Sequence, residues 1–404
     1  MSNMDKRREI IDTGIELLEE KLVARTWGNI SARIDADNYL ITPSGLDYTS
    51  MREEDIVSVN IKTGEYTGIN RPSGEKGVHS AAYEVFDDVN FVVYTHQTYA
   101  TAVSLAGFDS LEATAVSPAG SELFETSAGS PAGSDSFDIT EEEIEKLGGI
   151  ALAEYGLPGT KEITNACKSA LLTGAHTVLM IHHGVLVLGK DKDEAMLRVK
   201  LLEEICERNV TRILDTIYNK KPAGNENQPT NSLHNKATNS NNKIDSNNET
   251  RVESTININN INNSLHNSDG EINKIINNDT VFDRKYNEII TSKELVELSL
   301  AESEIISQLD DVSQMIGTKI VTVDSIDEAY KLSDNAVLIK GVGALIKAEN
   351  KDDLEALKVL MNKMAIVKLY TKAKNVKAEI SIEESDFMHY DYVTRYSKQN
   401  IKNS

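Results

Sequence analysis

Cysteine is scarce in this chain, which has only Cys167 and Cys206 among its 404 residues. Both lie in segments whose apolar spacing is typical of helices, and two isolated thiols form neither a disulfide framework nor a zinc-finger spacing. We therefore expect both to be packing residues.

Long apolar runs and basic charge are also lacking. Nowhere do 18 consecutive apolar residues occur, so no segment is expected to span a bilayer, and the first residues, MSNMDKRREIID, lack the apolar region of a secretion signal. The 64 Asp and Glu outnumber the 42 Lys and Arg, and the resulting formal charge of −22 repels phosphate backbones and anionic membranes. These features predict a cytoplasmic protein that binds neither nucleic acid nor a membrane.

Composition divides the chain into three parts. A stretch dominated by Asn and Ser lacks the apolar density that folding requires, and it repeats the word NSLHN, so we discount its histidines, His234 and His266. The predicted organisation is a folded domain over 1–219, an Asn/Ser-rich disordered linker over 220–282 and a second domain over 283–404.

The first domain alternates predicted helices and strands, which favours the α/β class. Helices are predicted over 5–23, 74–86, 99–105 and 160–173, and a long one from Asp191. Strands are predicted at SARID, NYLITPS and FVVYTH, and in TVLMIHHGVLVLG on both sides of Gly184. The word SPAGS occurs at Ser117 and again at Ser130, which predicts an inserted surface loop.

The C-terminal domain repeats the end of this pattern. A constant offset of 159 residues aligns AHTVLMIHHGVLVLGKDKDEA with DNAVLIKGVGALIKAENKDDL without a gap, with 6 identities in 21 positions. We interpret 283–404 as a partial, degenerate second copy. It has Gly341 and Val342 in place of His182 and His183, so it lacks whatever those histidines do.

Three polar features occur where an α/β fold places its sites. His96 ends an apolar strand, and His183 precedes the glycine turn of an apolar hairpin. Such histidines are either structural residues or metal ligands. In RPSGEKGVH, Ser73 is a predicted helix N-cap with Glu75 in the first turn, where free backbone N–H groups bind an anion or Glu75 only complements the helix dipole.

Taken in order, the motifs GNISARI, YLITPSG, PSGE, VVYTHQTYATAVS and IHHGVLVLG resemble the class II aldolase and adducin head family, whose best-known enzyme is L-fuculose-phosphate aldolase. The resemblance covers about residues 5–218. It implies a three-layer α/β/α domain with a central, mainly antiparallel sheet, a zinc site, a phosphate site and a general base.

The resemblance also assigns roles to residues of this sequence. Glu75 matches the catalytic acid/base, and His96 and His183 match two zinc-binding histidines. The phosphate-binding positions match Asn29, Ser44, Gly45, Ser73 and Gly74, with the phosphate expected on the backbone N–H groups of the two serine–glycine turns.

Two departures from the family pattern leave alternatives open. Tyr94 stands where the family has the first histidine of its pair, and a neutral phenol is a weak zinc ligand. Either Tyr94 binds as phenolate, or Glu75 joins His96 and His183 as a ligand, or the metal has been lost. The family's tyrosine general acid would fall near Thr114, where no tyrosine occurs.

The expected function is a metal-dependent sugar-phosphate aldolase that cleaves a ketose 1-phosphate to dihydroxyacetone phosphate and an aldehyde through a metal-stabilised enediolate, with Zn²⁺ as the expected ion. The alternatives are a catalytically degenerate adducin-like assembly module and an L-ribulose-5-phosphate 4-epimerase-like enzyme. The resemblance implies a small phosphorylated sugar as substrate and a homo-oligomer. If the second copy docks where a neighbouring subunit sits in the family, then Tyr390, Tyr392 or Tyr396 would approach the site.

Overall fold

The structure, a computed structural model, describes residues 3–106, 137–219 and 285–396. We call residues 3–219 the N-terminal region and residues 285–396 the C-terminal segment. The repeated SPAGS words, Thr114 and the whole predicted linker lie outside the described residues, as do His234 and His266.

The N-terminal region alternates strands and helices as predicted. Its strands are β1 (Gly28–Arg33), β2 (Asn38–Ile41), β3 (Val57–Asn60), β4 (Tyr66–Thr67), β5 (Phe91–Thr95), β6 (Ile150–Ala153), β7 (Thr177–Met180) and β8 (Gly184–Gly189). Its helices are α1 (Asn3–Glu19), α2 (Lys76–Val85), α3 (Thr98–Ala106), α4 (Glu141–Leu147), α5 (Lys161–Leu171) and α6 (Lys192–Asn219). Of these, β3, β4, β6 and α4 were not predicted.

One sheet joins the strands of this region in the order β4-β3-β2-β1-β5-β8-β7-β6. The neighbours are antiparallel except for β6 and β7, which run parallel. The prediction of a central, mainly antiparallel sheet is confirmed.

Helices cover both faces of the sheet. On one face, Val92 and Tyr94 of β5 share a buried apolar cluster with Val78 of α2 and with Ile163 and Cys167 of α5. Burying side chains of this size contributes about 1.5–3 kcal/mol each. On the other face, α1 packs against β1 and β2, and α3 packs against β7 and β8. These layers agree with the predicted α/β/α arrangement.

The C-terminal segment forms a second, smaller sheet. Its strands are β9 (Tyr286–Ile290), β10 (Glu304–Ile306), β11 (Lys319–Val323), β12 (Ala336–Ile339) and β13 (Gly343–Ala348). Its helices are α7 (Lys293–Ala301), α8 (Asp310–Met315), α9 (Ile326–Lys331), α10 (Lys351–Ala373) and α11 (Ile382–Asp391), followed by a π-helical turn at Tyr392–Tyr396. The order β11-β12-β13-β9, with only β11 and β12 parallel, has the same directions as β6-β7-β8-β5.

The C-terminal segment packs against the N-terminal region, and the two belong to one compact unit, Met1–Ile217 with Asp283–Ser404. Helix α10 lies along α3. Arg25 forms a 2.5 Å ion pair with Asp353 and donates a 2.8 Å hydrogen bond to the Tyr392 hydroxyl. No helix among the described residues is long and apolar enough to cross a membrane.

Candidate functional site

His96 and His183 meet because β5 and β8 are paired. Thr95 lies opposite Val185 in the antiparallel register, so the residue after β5 and the residue before β8 face the same end of the sheet. Their ring centroids are 6.4 Å apart. Gly184 allows this approach, since a Cβ there would lie 2.1 Å from the Thr95 carbonyl oxygen.

The turn that carries His183 has an unusual backbone. His182 has a φ of +66°, in the left-handed region that histidine enters more readily than most side chains. His182 Nδ1 donates a 2.8 Å hydrogen bond to the Gln308 carbonyl oxygen, and the N–H of Asp310 donates one of 3.2 Å to the His182 carbonyl oxygen. The C-terminal segment therefore clamps the turn.

Glu75 reaches the same place from the start of α2. The helix begins at Lys76 with Glu75 as its N-cap residue, so the prediction of Ser73 as N-cap is wrong. Glu75 Oε1 accepts a 2.8 Å hydrogen bond from the N–H of Gly159. Burial raises the pKa of Glu75 although His183 and the Gly159 N–H act in the opposite direction, and a raised carboxyl pKa is typical of a general base.

The five predicted phosphate-binding residues line the same cavity as Glu75, His96 and His183, a space of about 210 Å³. The N–H of Ser44 donates to the Arg71 carbonyl oxygen and that of Ser73 to the Thr42 carbonyl oxygen, at 3.0 and 3.1 Å. Both N–H groups are therefore already used within the fold, and the expectation that these two turns hold a phosphate stays a prediction that falls on their other donors. The serine hydroxyls and the N–H groups of Gly45 and Gly74 are the remaining donors of the two turns.

Asn29 is held by a buried hydrogen-bonded chain that the sequence did not reveal. Burial lowers the pKa of His79 to about 3, so its ring is neutral and carries one N–H. His79 Nε2 donates to Asn29 Oδ1 at 2.5 Å, and Nδ1 accepts from the Ser31 hydroxyl at 2.7 Å. With Asn29 Oδ1 occupied, the amide NH₂ of Asn29 is the group left to bind a ligand.

Tyr94 lies between the histidines and the core of the domain. Its hydroxyl is 3.2 Å from His183 Nδ1. Burial, Asp310 and Glu75 hold the pKa of Tyr94 well above its usual value. This environment disfavours the phenolate form that was one of the three alternatives for the missing histidine.

The C-terminal segment brings two acidic residues to the histidines. Asp310 Oδ2 contacts His183 Nδ1, and Asp310 Oδ1 is 3.9 Å from His96 Nδ1. Asp311 Oδ2 is 3.4 Å from the same His96 atom. His96, Asp310 and Asp311 are spaced closely enough to hold a metal ion. Sequence reasoning missed both acids, since acids at the start of a short helix are common.

Lys363 of α10 supports this arrangement. Its ammonium group donates hydrogen bonds of 2.7 Å to Asp311 Oδ2 and 3.1 Å to the His96 carbonyl oxygen. Burial alone would raise the pKa of Asp311, but Lys363 and His96 hold it well below its usual value. Asp311 is thus an ionised partner of Lys363.

The start of α3, two residues after His96, is bonded to α6. The half-buried Glu203 on α6 accepts 2.9 Å hydrogen bonds from the N–H groups of Tyr99 and Ala100 in the first turn of α3. Burial raises the pKa of Glu203 to about 7, against the effect of these two N–H groups.

The three C-terminal tyrosines behave differently. Tyr392 lines the cavity and Tyr390 is exposed, while the side chain of Tyr396 lies outside the described part of the chain. The prediction that one of them approaches the site is confirmed for Tyr392.

The buried atoms of the site fit a cation. Within the described ranges, Glu75 Oε2 and His96 Nδ1 are buried without a hydrogen-bond partner. Carboxylate oxygens and imidazole nitrogens are ligands that Zn²⁺ takes in proteins. These residues could therefore hold a divalent metal.

Comparison with known proteins agrees with this reading of the fold. Residues 8–210, half of the chain, match the family model described as class II aldolase and adducin N-terminal domain. L-ribulose-5-phosphate 4-epimerase UlaF of Salmonella paratyphi B is 28% identical over 202 residues, covering 50% of this chain and 82% of that protein.

Two solved structures are similar as well. An L-fuculose 1-phosphate aldolase is 26% identical with a TM-score of 0.41, covering 54% of this chain and 88% of that one. A sugar-phosphate aldolase from Thermotoga maritima is 22% identical with a TM-score of 0.42, covering 55% and 98%. On the match over residues 8–210, the chain belongs to the class II aldolase and adducin N-terminal domain family.

Proposed function

We propose that this protein is a metal-dependent sugar-phosphate aldolase that cleaves a ketose 1-phosphate to dihydroxyacetone phosphate and an aldehyde. The observation that carries the proposal is that Glu75, His96 and His183, far apart in sequence, line one cavity together with the candidate phosphate-binding residues. Membership of a metal-dependent aldolase family supports it.

His96 and His183 would hold the ion, for which Zn²⁺ is our candidate. When bound, a divalent cation supplies a Lewis acid that polarises the substrate carbonyl and stabilises negative charge on its oxygen. The protein's part is to keep both imidazoles at the ends of paired strands, with His183 fixed by the clamped turn.

Glu75 would move the proton. In cleavage the carbon–carbon bond breaks as the hydroxyl of the aldehyde fragment loses its proton to solvent, and protonated Glu75 would then give a proton to the carbon beside the carbonyl of dihydroxyacetone phosphate. In condensation the Glu75 carboxylate would accept the proton from that carbon. Its raised pKa brings the carboxylate closer to the pH at which proton transfer in both directions is efficient.

The phosphate would be oriented by neutral donors. The hydroxyls of Ser44 and Ser73, the N–H groups of Gly45 and Gly74, and the side-chain amide of Asn29 surround the cavity. Such donors bind an anion by direction without adding charge, and they would hold the reacting carbon against Glu75.

The second candidate is an L-ribulose-5-phosphate 4-epimerase. The specific observation that favours it is the 28% identity with proteins of that name over 82% of their length. An epimerase would use the same cavity and would return its product without releasing dihydroxyacetone phosphate.

Turnover distinguishes these functions. Purified full-length protein with added Zn²⁺ is assayed for dihydroxyacetone phosphate release from L-fuculose 1-phosphate and L-ribulose 1-phosphate, and for epimerisation of L-ribulose 5-phosphate. We expect cleavage, with Glu75→Gln slower by about 100-fold or more and the exposed Glu65→Gln unchanged. Epimerisation alone would support the second candidate. Neither activity, or a Glu75→Gln variant equal to the wild type, would leave the adducin-like assembly module.

Subunit association and cytoplasmic location remain predictions from the sequence. Light scattering of the full-length protein tests the first: a mass above that of one chain supports the expected homo-oligomer, and a monomer contradicts it.

A further inference from the structure

Asp310 is built into the histidine cavity by main-chain contacts. Its N–H donates to the carbonyl oxygen of His182, the residue before His183, and the His182 ring donates back to Gln308, two residues before Asp310. The carboxylate is 1% exposed and lines the cavity. The position of the carboxylate relative to His183 is thus set by the backbone of both regions.

The two oxygens of the Asp310 carboxylate face different histidines. Oδ2 contacts His183 Nδ1 and Oδ1 faces His96 Nδ1 at 3.9 Å. The His96–Oδ1 separation is too long for a hydrogen bond, and His96 Nδ1 has no hydrogen-bond partner in the described parts of the chain. An imidazole nitrogen and a carboxylate oxygen that face each other without bonding leave room for a cation between them.

Charge within the cluster is unbalanced. Three buried or half-buried acids, Glu75, Asp310 and Asp311, lie near the two histidines, and Lys363 pairs with Asp311 alone. No lysine or arginine among the described residues lies within ion-pair distance of Glu75 or Asp310. Buried carboxylates are costly unless they are paired or bind a metal. A divalent cation held by the histidines would balance the two that have no lysine or arginine partner.

Because Tyr94 stands where the family pattern has a histidine, a ligand is missing that the Asp310 carboxylate could replace. A neutral phenol is a poor zinc ligand, whereas two histidines with one carboxylate and an open position form a recognised type of catalytic zinc site. Asp311 is less suitable because the Lys363 ammonium group, bonded to its Oδ2 at 2.7 Å, already balances its charge.

We infer that Asp310 is the third protein ligand of the divalent cation, supplied by the C-terminal segment in place of the histidine that the N-terminal region lacks at Tyr94. The inference rests on the metal dependence of the proposed function. Lys363 acts as a positioning residue because it donates to the His96 carbonyl oxygen, and Asp311 acts through Lys363, which it holds in place.

Metal affinity tests the inference without any assay of turnover. Chelator-stripped full-length protein is titrated with ZnCl₂ by calorimetry, and folding of each variant is checked by circular dichroism. We expect one Zn²⁺ per wild-type chain, about 100-fold weaker binding in Asp310→Asn, and about tenfold weaker binding in Asp311→Asn. The matched control is Asp327→Asn, which removes an exposed acid from the first turn of α9 and should bind like the wild type.

A compensating substitution sharpens the test. Tyr94→His in the Asp310→Asn background supplies an imidazole where the family pattern has one and should recover most of the lost affinity. Asp310→Asn binding zinc like the wild type, or a loss confined to Asp311→Asn, would overturn the inference. A wild-type chain that binds no Zn²⁺ would overturn it together with the metal dependence.

X-ray absorption at the zinc edge on the loaded wild-type protein covers the case in which Asp310→Asn does not fold. Two imidazoles with at least one carboxylate oxygen support the inference, and a ligand set without carboxylate contradicts it. A wild type that binds Zn²⁺ through Asp310 yet cleaves no sugar phosphate would refute the proposed function alone.

Discussion

The ammonium group of Lys363 donates a 3.1 Å hydrogen bond to the main-chain oxygen of His96. A lysine of the C-terminal segment is thereby attached to a candidate ligand of the N-terminal region, and its side chain is 2% exposed. The C-terminal segment is part of the site rather than an appendage to it.

Replacing Lys363 should therefore lower the stability of the folded chain. In Lys363→Met the Asp311 carboxylate stays buried without its lysine partner, so we expect the free energy of unfolding to fall by about 3–5 kcal/mol. Lys358→Met is the matched control on the same helix, because Lys358 pairs with the half-exposed Glu288 and its loss should cost less than about 1 kcal/mol. Urea denaturation measures both.

The double variant Lys363→Met/Asp311→Leu should regain most of that stability, since it removes the unpaired charge as well. Equal losses in Lys363→Met and Lys358→Met would contradict the account of a buried ion pair.

The neutral His79 predicts a dependence of stability on acid. Its pKa is about 3 in the folded chain and 6.5 in the unfolded chain, so between these values the unfolded chain binds the additional proton. The contribution is fully present above pH 6.5 and is lost as the pH falls, by at most about 1.4 kcal/mol per pH unit. His79→Gln should show a correspondingly smaller loss towards acid pH in urea denaturation.

Glu203 contributes a slope of the opposite sign. Its pKa is about 7 in the folded chain against 4.5 unfolded, so the folded chain binds the additional proton and stability falls as the pH rises between these values. Comparing His79→Gln with Glu203→Gln separates the two effects, with Glu203→Gln losing less stability as the pH rises from 4.5 to 7. Identical pH profiles in both variants and the wild type would contradict both assignments.

The orientation of Asn29 predicts that its side-chain NH₂ group donates to a bound phosphate. Asn29→Asp replaces the amide donor by a carboxylate, which would repel the anion, so we expect inorganic phosphate to bind at least about tenfold more weakly. Calorimetric titration with phosphate measures this. The control is Asn90→Asp, an exposed position just before β5 and at the opposite end of that strand from His96. Unchanged phosphate binding in Asn29→Asp would remove Asn29 from the proposed phosphate site.

The sequence predicted those parts of the fold that have a strong local pattern. FVVYTH is an apolar run that ends in two polar residues, and TVLMIHHGVLVLG has a glycine at its turn, so the end of β5 and the start of β8 were found close to their observed positions. The four residues of β6, Ile150–Ala153, were missed because a short apolar run with two alanines fits a helix as well as a strand.

The residues of the site also differ in whether the sequence alone could identify them. Glu75, His96 and His183 stand next to element boundaries and could be selected from the sequence. Asp310 could not be selected, because it reaches the site only when α8 packs against the His182 turn, a contact between distant parts of the chain. The interpretation of the C-terminal segment as a second copy stays a prediction, although the shared strand order of β6-β7-β8-β5 and β11-β12-β13-β9 supports it.

The most direct test of the central claim is anomalous X-ray diffraction at the zinc edge from crystals of the zinc-loaded full-length protein. The account predicts one strong peak per chain within about 2.0–2.2 Å of His96, His183 and Asp310, beside Glu75. Zinc-loaded crystals without a peak in this cavity, or with one bound by other residues, would contradict it.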